Sequence, residues 1–214
     1  MERVICLVIG YVFGLFQTGY IYGKMNGIDI RQHGSGNAGT TNALRTMGAK
    51  AGVITLIGDA LKCILAVALV RMIFAKSAAD MLPLLGLYAG FGAVLGHNYP
   101  FYLNFKGGKG IAATFGLVIA TDIKMALVCA VVFIIIVAIT RYVSVGSMIL
   151  ATTFLIQLIV GGQMGVFGLP QNLLFEMYVI GFVFLVSAVF QHRANIERLK
   201  NGTENKFSIK KKEK

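Results

Sequence analysis

Apolar residues along the chain gather into seven runs, at residues 4–22, 51–73, 81–95, 111–121, 125–139, 145–160 and 173–191. Most approach the length of a bilayer-spanning helix, about 20 residues. The pattern predicts an all-α integral membrane protein, a bundle of seven transmembrane helices. The fourth run is too short to cross alone unless it is tilted, broken or continued through the loop before it. Polar residues return in four compact stretches: 34–45 (GSGNAGTTNALR), 96–110 (GHNYPFYLNFKGGKG), 141–147 (RYVSVGS) and 192–204 (HRANIERLKNGTE).

Composition points the same way. The 214 residues are 57% hydrophobic and only 14% charged, against about 25% charged for a soluble domain. No polar linker is long enough to divide the chain, so residues 1–207 read as a single transmembrane domain and residues 208–214 as a basic cytoplasmic tail. The formal net charge is +11, but its location says more than its size. With seven crossings and the N-terminus outside, the inner loops hold Lys24, Arg31, Arg45, Lys50, Lys106, Lys109 and Arg141, and the basic tail joins them. The outer side holds only Arg3, Arg71, Lys76 and Lys124. This is the positive-inside bias. It places the C-terminus and all four polar clusters on the cytoplasmic face of the cell membrane. The first run lacks a basic leader and a small-residue cleavage site, as expected of an uncleaved span. Cys6, Cys63 and Cys129 fall inside apolar runs and read as small buried hydrophobes.

The clusters carry the chemistry of anion binding. In residues 96–110, Lys106 and Lys109 sit among Gly107, Gly108 and Gly110, where glycines let N–H groups turn around an anion and lysines add charge. Residues 34–45 offer Ser35, Asn37, Thr40, Thr41 and Asn42 as hydrogen-bonding side chains, with Gly34, Gly36 and Gly39 for tight turns. Arg45 can grip a phosphate with two parallel hydrogen bonds. A helix opening there would add its N-terminus as an anion site. His97 follows the third span directly and reads either as a structural, hydrogen-bonded residue or as part of the site. Ser144 and Arg141 stand at a membrane boundary. His192 and Asn195 are three apart and share a helix face, Arg193 and Glu197 have the spacing of a surface pair, and Asp59 and Lys62 can pair inside the bundle.

Other chemistries are excluded. No HExxH helix, paired DxxxD box or Ser–His–Asp arrangement occurs, and acidic residues are scarce in the clusters. Metal-dependent phosphotransfer does not fit, and neither a metal nor a cofactor is expected. Neither glycine cluster matches a nucleotide loop, and no nucleic-acid partner is expected.

In order and content, GSGNAGTTNALR, GHNYPFYLNFKGGKGIA and HRANIERLKNGTENK resemble the three motifs of the bacterial glycerol-3-phosphate acyltransferases that use acyl phosphate, and RYVS is similar to that family's serine-bearing corner. The resemblance implies a seven-span enzyme acting at the cytoplasmic face of the bacterial plasma membrane. It would move a fatty acyl group from acyl phosphate to the 1-hydroxyl of glycerol 3-phosphate, giving lysophosphatidic acid and phosphate. Carried onto this chain, Ser35, Gly36, Asn37, Thr41, Asn42 and Arg45 would contact substrate. Lys106, Gly107, Gly108 and Lys109 would hold the anionic groups, and Ser144, His192 and Asn195 would do the catalytic work, with His97 beside them.

Both substrates carry phosphate, and acyl phosphate is already activated. The protein then has mainly to juxtapose hydroxyl and acyl carbon and to stabilise developing negative charge. Direct attack without an acyl-enzyme is expected, the hydroxyl proton passing to a substrate phosphate oxygen or to His192, with the acyl tail in a groove open to the bilayer. The basic face would permit transient docking of a soluble enzyme that makes acyl phosphate. The rival reading is a carrier for phosphorylated metabolites, whose path would run through Asp59 and Lys62.

Overall fold

The computed structural model describes residues 1–207; the basic tail expected at residues 208–214 lies outside the described residues. All regular structure among them is helical. In chain order it comprises α1 (Glu2–Gly14), α2 (Thr18–Met25), α3 (Thr40–Met47), α4 (Ala49–Phe74), α5 (Leu82–Asn98), α6 (Ile111–Thr121), α7 (Ile123–Thr140), α8 (Val143–Gln163), α9 (Gln171–Gln191) and α10 (Arg193–Lys200).

Each apolar run becomes helix, yet six stretches, not seven, are long and apolar enough to cross a bilayer: Glu2–Met25, Ala49–Phe74, Ala79–Leu103, Ile123–Thr140, Val143–Gln163 and Gln171–Gln191. The short one is α6, with 11 residues. At 1.5 Å per residue it rises about 16 Å, roughly half of a hydrocarbon core about 30 Å thick. It turns back directly into α7, whose first N–H groups, those of Lys124 and Met125, donate to the Asp122 side chain at 2.6 and 3.0 Å. That cap satisfies donors which a helix start otherwise leaves open. α6 itself packs on α4 and α5, and α7 on α8.

The first span is broken. Between α1 and α2 the chain leaves the helix at residues 15–17, which frees backbone carbonyls inside the bundle. Lipid supplies no partner for such groups, so the protein must. The Lys62 ammonium on α4 donates to the carbonyls of Phe16 at 2.6 Å and Gly14 at 3.3 Å. Buried Gln17 donates from Nε2 to the carbonyls of Gly14, Gly96 and His97 at 3.1–3.3 Å. Lys62 also pairs with Asp59 at 3.0 Å. The Asp59–Lys62 spacing thus reports a pair that mends a helix break; both residues are buried.

Close packing of α1 on α5 brings these groups together. A side chain at Gly10 or Gly14 would overlap a backbone carbonyl of α5, and one at Gly92 or Gly96 a carbonyl of α1. Small residues at spacing four let two helices touch backbone to backbone. On the other side of α5, Phe91, Phe184 and Phe154 meet edge to face with centroids 6.1 Å apart, joining α5, α9 and α8.

The two ends of the bundle differ. At one end Arg3 of α1 pairs with Glu176 of α9, to which Tyr88 of α5 donates at 2.7 Å. α9 then runs the length of the bundle and delivers His192 to the opposite end, where the polar clusters gather.

Candidate active site

A cavity of about 920 Å³ opens at that second end, at the upper part of the range for small-molecule sites, about 300–1,000 Å³. Its polar mouth is built by residues 35–45, Lys109, Ser144 and the segment from His192 to Phe207. An apolar arm continues from it, walled by Leu56 of α4, Phe115 of α6, Phe133, Ile134 and Val137 of α7, and Leu150 of α8. Leu56 is 42% exposed and Ile134 is 63% exposed, so the arm reaches the lipid-facing surface of the bundle.

The first wall is a loop folded onto α3. The helix opens inside the motif, at Thr40, and carries Arg45 in its last turn. Asn42 is buried and ties the loop down: its amide donates to the carbonyls of Ile30 and His33 at 3.1 and 2.9 Å and accepts from the Ser35 N–H at 2.9 Å. The N–H groups of Thr40 and Thr41 have no acceptor among the described residues, and the Thr40 hydroxyl is buried without a partner. These donors and the helix dipole face the cavity, a ready anion site. Arg45 lines the cavity and forms no ion pair among the described residues.

Lys109 supplies the second positive charge, its ammonium bonded to the Asn195 side-chain oxygen. Burial, reinforced by the nearby Arg198 and Arg45 charges, holds its pKa down to about 8. The third wall is a carboxylate knot. Glu204 accepts from Ser144 at 3.0 Å, from Asn195 at 2.6 Å and from Arg198 at 2.7 Å. Burial works to raise its carboxyl, but these donors outweigh it and leave the pKa lowered. His192 is buried, and its Nδ1 bonds the Ala188 carbonyl at 2.8 Å. Nδ1 therefore carries the proton, and Nε2 keeps a lone pair. Burial pushes this imidazole down to about 4, so it is neutral at physiological pH.

The structure thus gathers Ser35, Asn37, Thr41, Asn42, Arg45, His97, Lys109, Ser144, His192 and Asn195 around one cavity. It leaves Gly36, Lys106, Gly107 and Gly108 off the cavity wall. Lys106 points to solvent. The Gly107 and Gly108 N–H groups do not turn around an anion: they donate to the carbonyls of Asn98 and His97, each at 3.1 Å, and stitch the loop to the end of α5. The surface pair expected of Arg193 and Glu197 does not form. Arg193 lies over the Phe190 ring, and Arg198 pairs with Glu204 instead. Arg198 and Glu204 are wall residues that no sequence motif singled out, whereas Thr40, expected as a hydrogen-bonding side chain, joins the wall with its neighbours; the six-residue step from Arg198 to Glu204 crosses a helix end, where no periodicity marks it.

Fold and cavity together define a multi-pass membrane protein with a cationic mouth and an apolar arm. Residues 4–202 match the family described as glycerol-3-phosphate acyltransferase. A glycerol-3-phosphate acyltransferase of Clostridioides difficile (strain 630) is 39% identical over 214 residues, covering 97% of each chain. One of Alkaliphilus metalliredigens (strain QYMF) is 40% identical over 211 residues, covering 98% of each. The crystal structure of PlsY (YgiH), an integral membrane glycerol 3-phosphate acyltransferase, in its glycerol 3-phosphate form, superposes with a TM-score of 0.81 at 33% identity, covering 97% of this chain and 96% of that one. The chain belongs to the glycerol-3-phosphate acyltransferase family, and it is an acyltransferase of phospholipid synthesis.

Proposed function

We propose that the protein transfers an acyl group from acyl phosphate to the 1-hydroxyl of glycerol 3-phosphate, giving 1-acyl-glycerol 3-phosphate and inorganic phosphate. One observation carries this reading: a cationic mouth, with Arg45 and the N–H groups of Thr40 and Thr41 unpartnered among the described residues, runs directly into an apolar arm open to lipid. Among the described residues no serine or cysteine is hydrogen-bonded to a histidine, so no activated nucleophile is at hand for an acyl-enzyme. An activated donor and direct attack suit such a site. Ser35, Asn37, Thr41, Asn42, Arg45 and Lys109 then bind the phosphates, and Ser144, Asn195 and His192 form the polar floor. In purified protein supplied with palmitoyl phosphate and glycerol 3-phosphate, without metal, lysophosphatidic acid and phosphate should form in equal amounts. Phosphate alone, or neither product, sinks the proposal.

The attacking hydroxyl passes its proton to a substrate phosphate oxygen or to Nε2 of His192. Turnover of His192→Ala within threefold of wild type would eliminate the histidine. Lys109 sets the alkaline side. Its ammonium is charged below its pKa of about 8 and neutral above, and phosphate binding needs the charge. Since kcat/KM reports free-enzyme pKa values, kcat/KM for glycerol 3-phosphate should fall as pH rises through about 8. Lys109→Arg should carry that fall to higher pH, because guanidinium stays charged; an unmoved limb would assign it elsewhere.

The membrane arrangement that fits is seven crossings, α6 being the short one, with the N-terminus outside and the cavity on the cytoplasmic face of the cell membrane. The Arg3 end and the cavity end lie at opposite poles, and Arg45, Lys50, Lys106, Lys109, Arg141 and Arg198 cluster at the latter. A Glu2→Cys variant should react with impermeant thiol reagents from outside intact cells and Lys200→Cys only from inside; the three native cysteines are buried. The reverse pattern would invert the topology. On the cytoplasmic side, this basic face is also where a soluble acyl-phosphate-producing enzyme would make transient contact.

A further inference from the structure

His97 ends α5 at the inner edge of the cavity, where the polar mouth meets Leu56 and Phe115 of the apolar arm. None of the phosphate-binding side chains is hydrogen-bonded to its ring. Its neighbours come instead from the network that mends the first span. Lys62 Nζ lies 2.8 Å from His97 Nδ1, and Asp59 Oδ1 lies 3.0 Å from Nζ and 3.6 Å from Nδ1. Thr18 donates to the same Asp59 oxygen at 3.0 Å.

An ammonium group has three donors and no lone pair. Lys62, held beside the Asp59 carboxylate and donating to the Phe16 and Gly14 carbonyls, can therefore meet Nδ1 only as a donor. Nδ1 must accept, and in a neutral imidazole the proton then sits on Nε2. Lys62 does not line the cavity, while His97 does. The Nε2 edge faces Gly108: a Cβ on Gly108 would fall on Nε2 itself. That close approach, not an anion, is what requires glycine there. Nε2 makes no hydrogen bond to another described residue. Its state is the mirror of His192, whose Nδ1 holds the proton and whose Nε2 is the acceptor.

We propose that Lys62, braced by Asp59, locks His97 as the Nε2–H tautomer, and that this N–H donates to the carbonyl oxygen of the acyl donor as it becomes an oxyanion. The inference rests on the acyl-transfer reading above. When the glycerol hydroxyl oxygen bonds to the acyl carbon, the carbonyl π pair moves onto oxygen, and the His97 N–H binds that charge without giving up its proton. Re-forming the carbonyl then breaks the bond from the acyl carbon to the phosphate oxygen, and phosphate leaves. An uncharged donor at the border of mouth and arm matches an oxygen that is neutral in the substrate and charged only in the transition state. Donors of that kind accelerate the chemical step rather than binding. His97 is then a catalytic residue, and Lys62 and Asp59 are positioning residues.

Two substitutions separate this role from a structural one. A glutamine amide reaches the place of Nε2 and can donate there; an asparagine amide stands at the place of Nδ1 and can keep only the Lys62 contact. With palmitoyl phosphate and glycerol 3-phosphate, His97→Ala and His97→Asn should lose about 10²–10³-fold in kcat with KM for glycerol 3-phosphate within threefold. His97→Gln should stay within about tenfold of wild type. Activity in His97→Asn with loss in His97→Gln would overturn the donor role and leave only the Lys62 contact. On the wild type, nitrogen NMR of ¹⁵N-histidine-labelled protein in lipid should show His97 protonated at Nε2 and bare at Nδ1. A proton on Nδ1 overturns the lock whatever the variants do. A wild type that makes no lysophosphatidic acid overturns the functional reading and this inference with it; an active wild type whose variants reverse the expected order overturns the inference alone.

Discussion

Arg45→Ala is expected to lower kcat/KM for glycerol 3-phosphate by about 10²–10⁴-fold while leaving the melting temperature of the protein unchanged. The two halves of that expectation come from the same observation. The guanidinium lines the cavity without an ion pair among the described residues, so its removal leaves no buried partner stranded. Against a phosphate it can form two parallel charge-assisted hydrogen bonds, each worth about 1.5–3 kcal/mol, and each 1.4 kcal/mol is about tenfold. Arg45→Lys should recover little, since a single ammonium cannot reproduce the fork. Steady-state kinetics beside a thermal melt in the same detergent decide it. A loss under threefold would remove Arg45 from the site, and a large fall in melting temperature would make its role structural.

Gly92→Leu should do the opposite, abolishing the fold rather than the chemistry. A Cβ at this position already overlaps the Leu7 carbonyl of α1, and backbone cannot rotate aside as a side chain can. The cost starts at the roughly 1–3 kcal/mol of ordinary overpacking and grows, because the two helices must separate. Separation also pulls the Gly14 and Phe16 carbonyls from Lys62 and the Gly96 and His97 carbonyls from Gln17. Size-exclusion profiles should show aggregated Gly92→Leu and monodisperse Val131→Leu, a substitution on the exposed face of α7. A monodisperse, active Gly92→Leu would mean that α1 and α5 are not packed backbone to backbone.

Much of this architecture is legible in the order of the residues. Every apolar run is a helix, because run length against bilayer thickness is a strong signal. The break at residues 15–17 is not legible, since Leu15 and Phe16 continue an apolar run, and Lys62, which satisfies the freed carbonyls, lies 46 residues beyond Phe16. The Asp59–Lys62 spacing announces a pair but cannot show the carbonyls and the histidine that the pair serves. Of the candidate site, the side chains of residues 35–45 and of Lys109, Ser144, His192 and Asn195 converge as their chemistry suggests. Gly107 and Gly108 mislead for a physical reason: glycine marks close backbone approach of any kind, and here the approaching group is the end of α5, with His97 at its tip. Glu204 was legible only as a scarce acid, while its three donors come from α8 and α10.

The lipid-exposed rim of the apolar arm, with Leu56 on one side and Ile134 on the other, bears on how inhibitors of such a protein should be measured. A compound that enters along that rim is drawn from the pool dissolved in the bilayer, not from the buffer. Its apparent potency will then track the lipid-to-protein ratio of the assay. Ranking candidates by their aqueous concentration would reward greasiness in one preparation and penalise it in another.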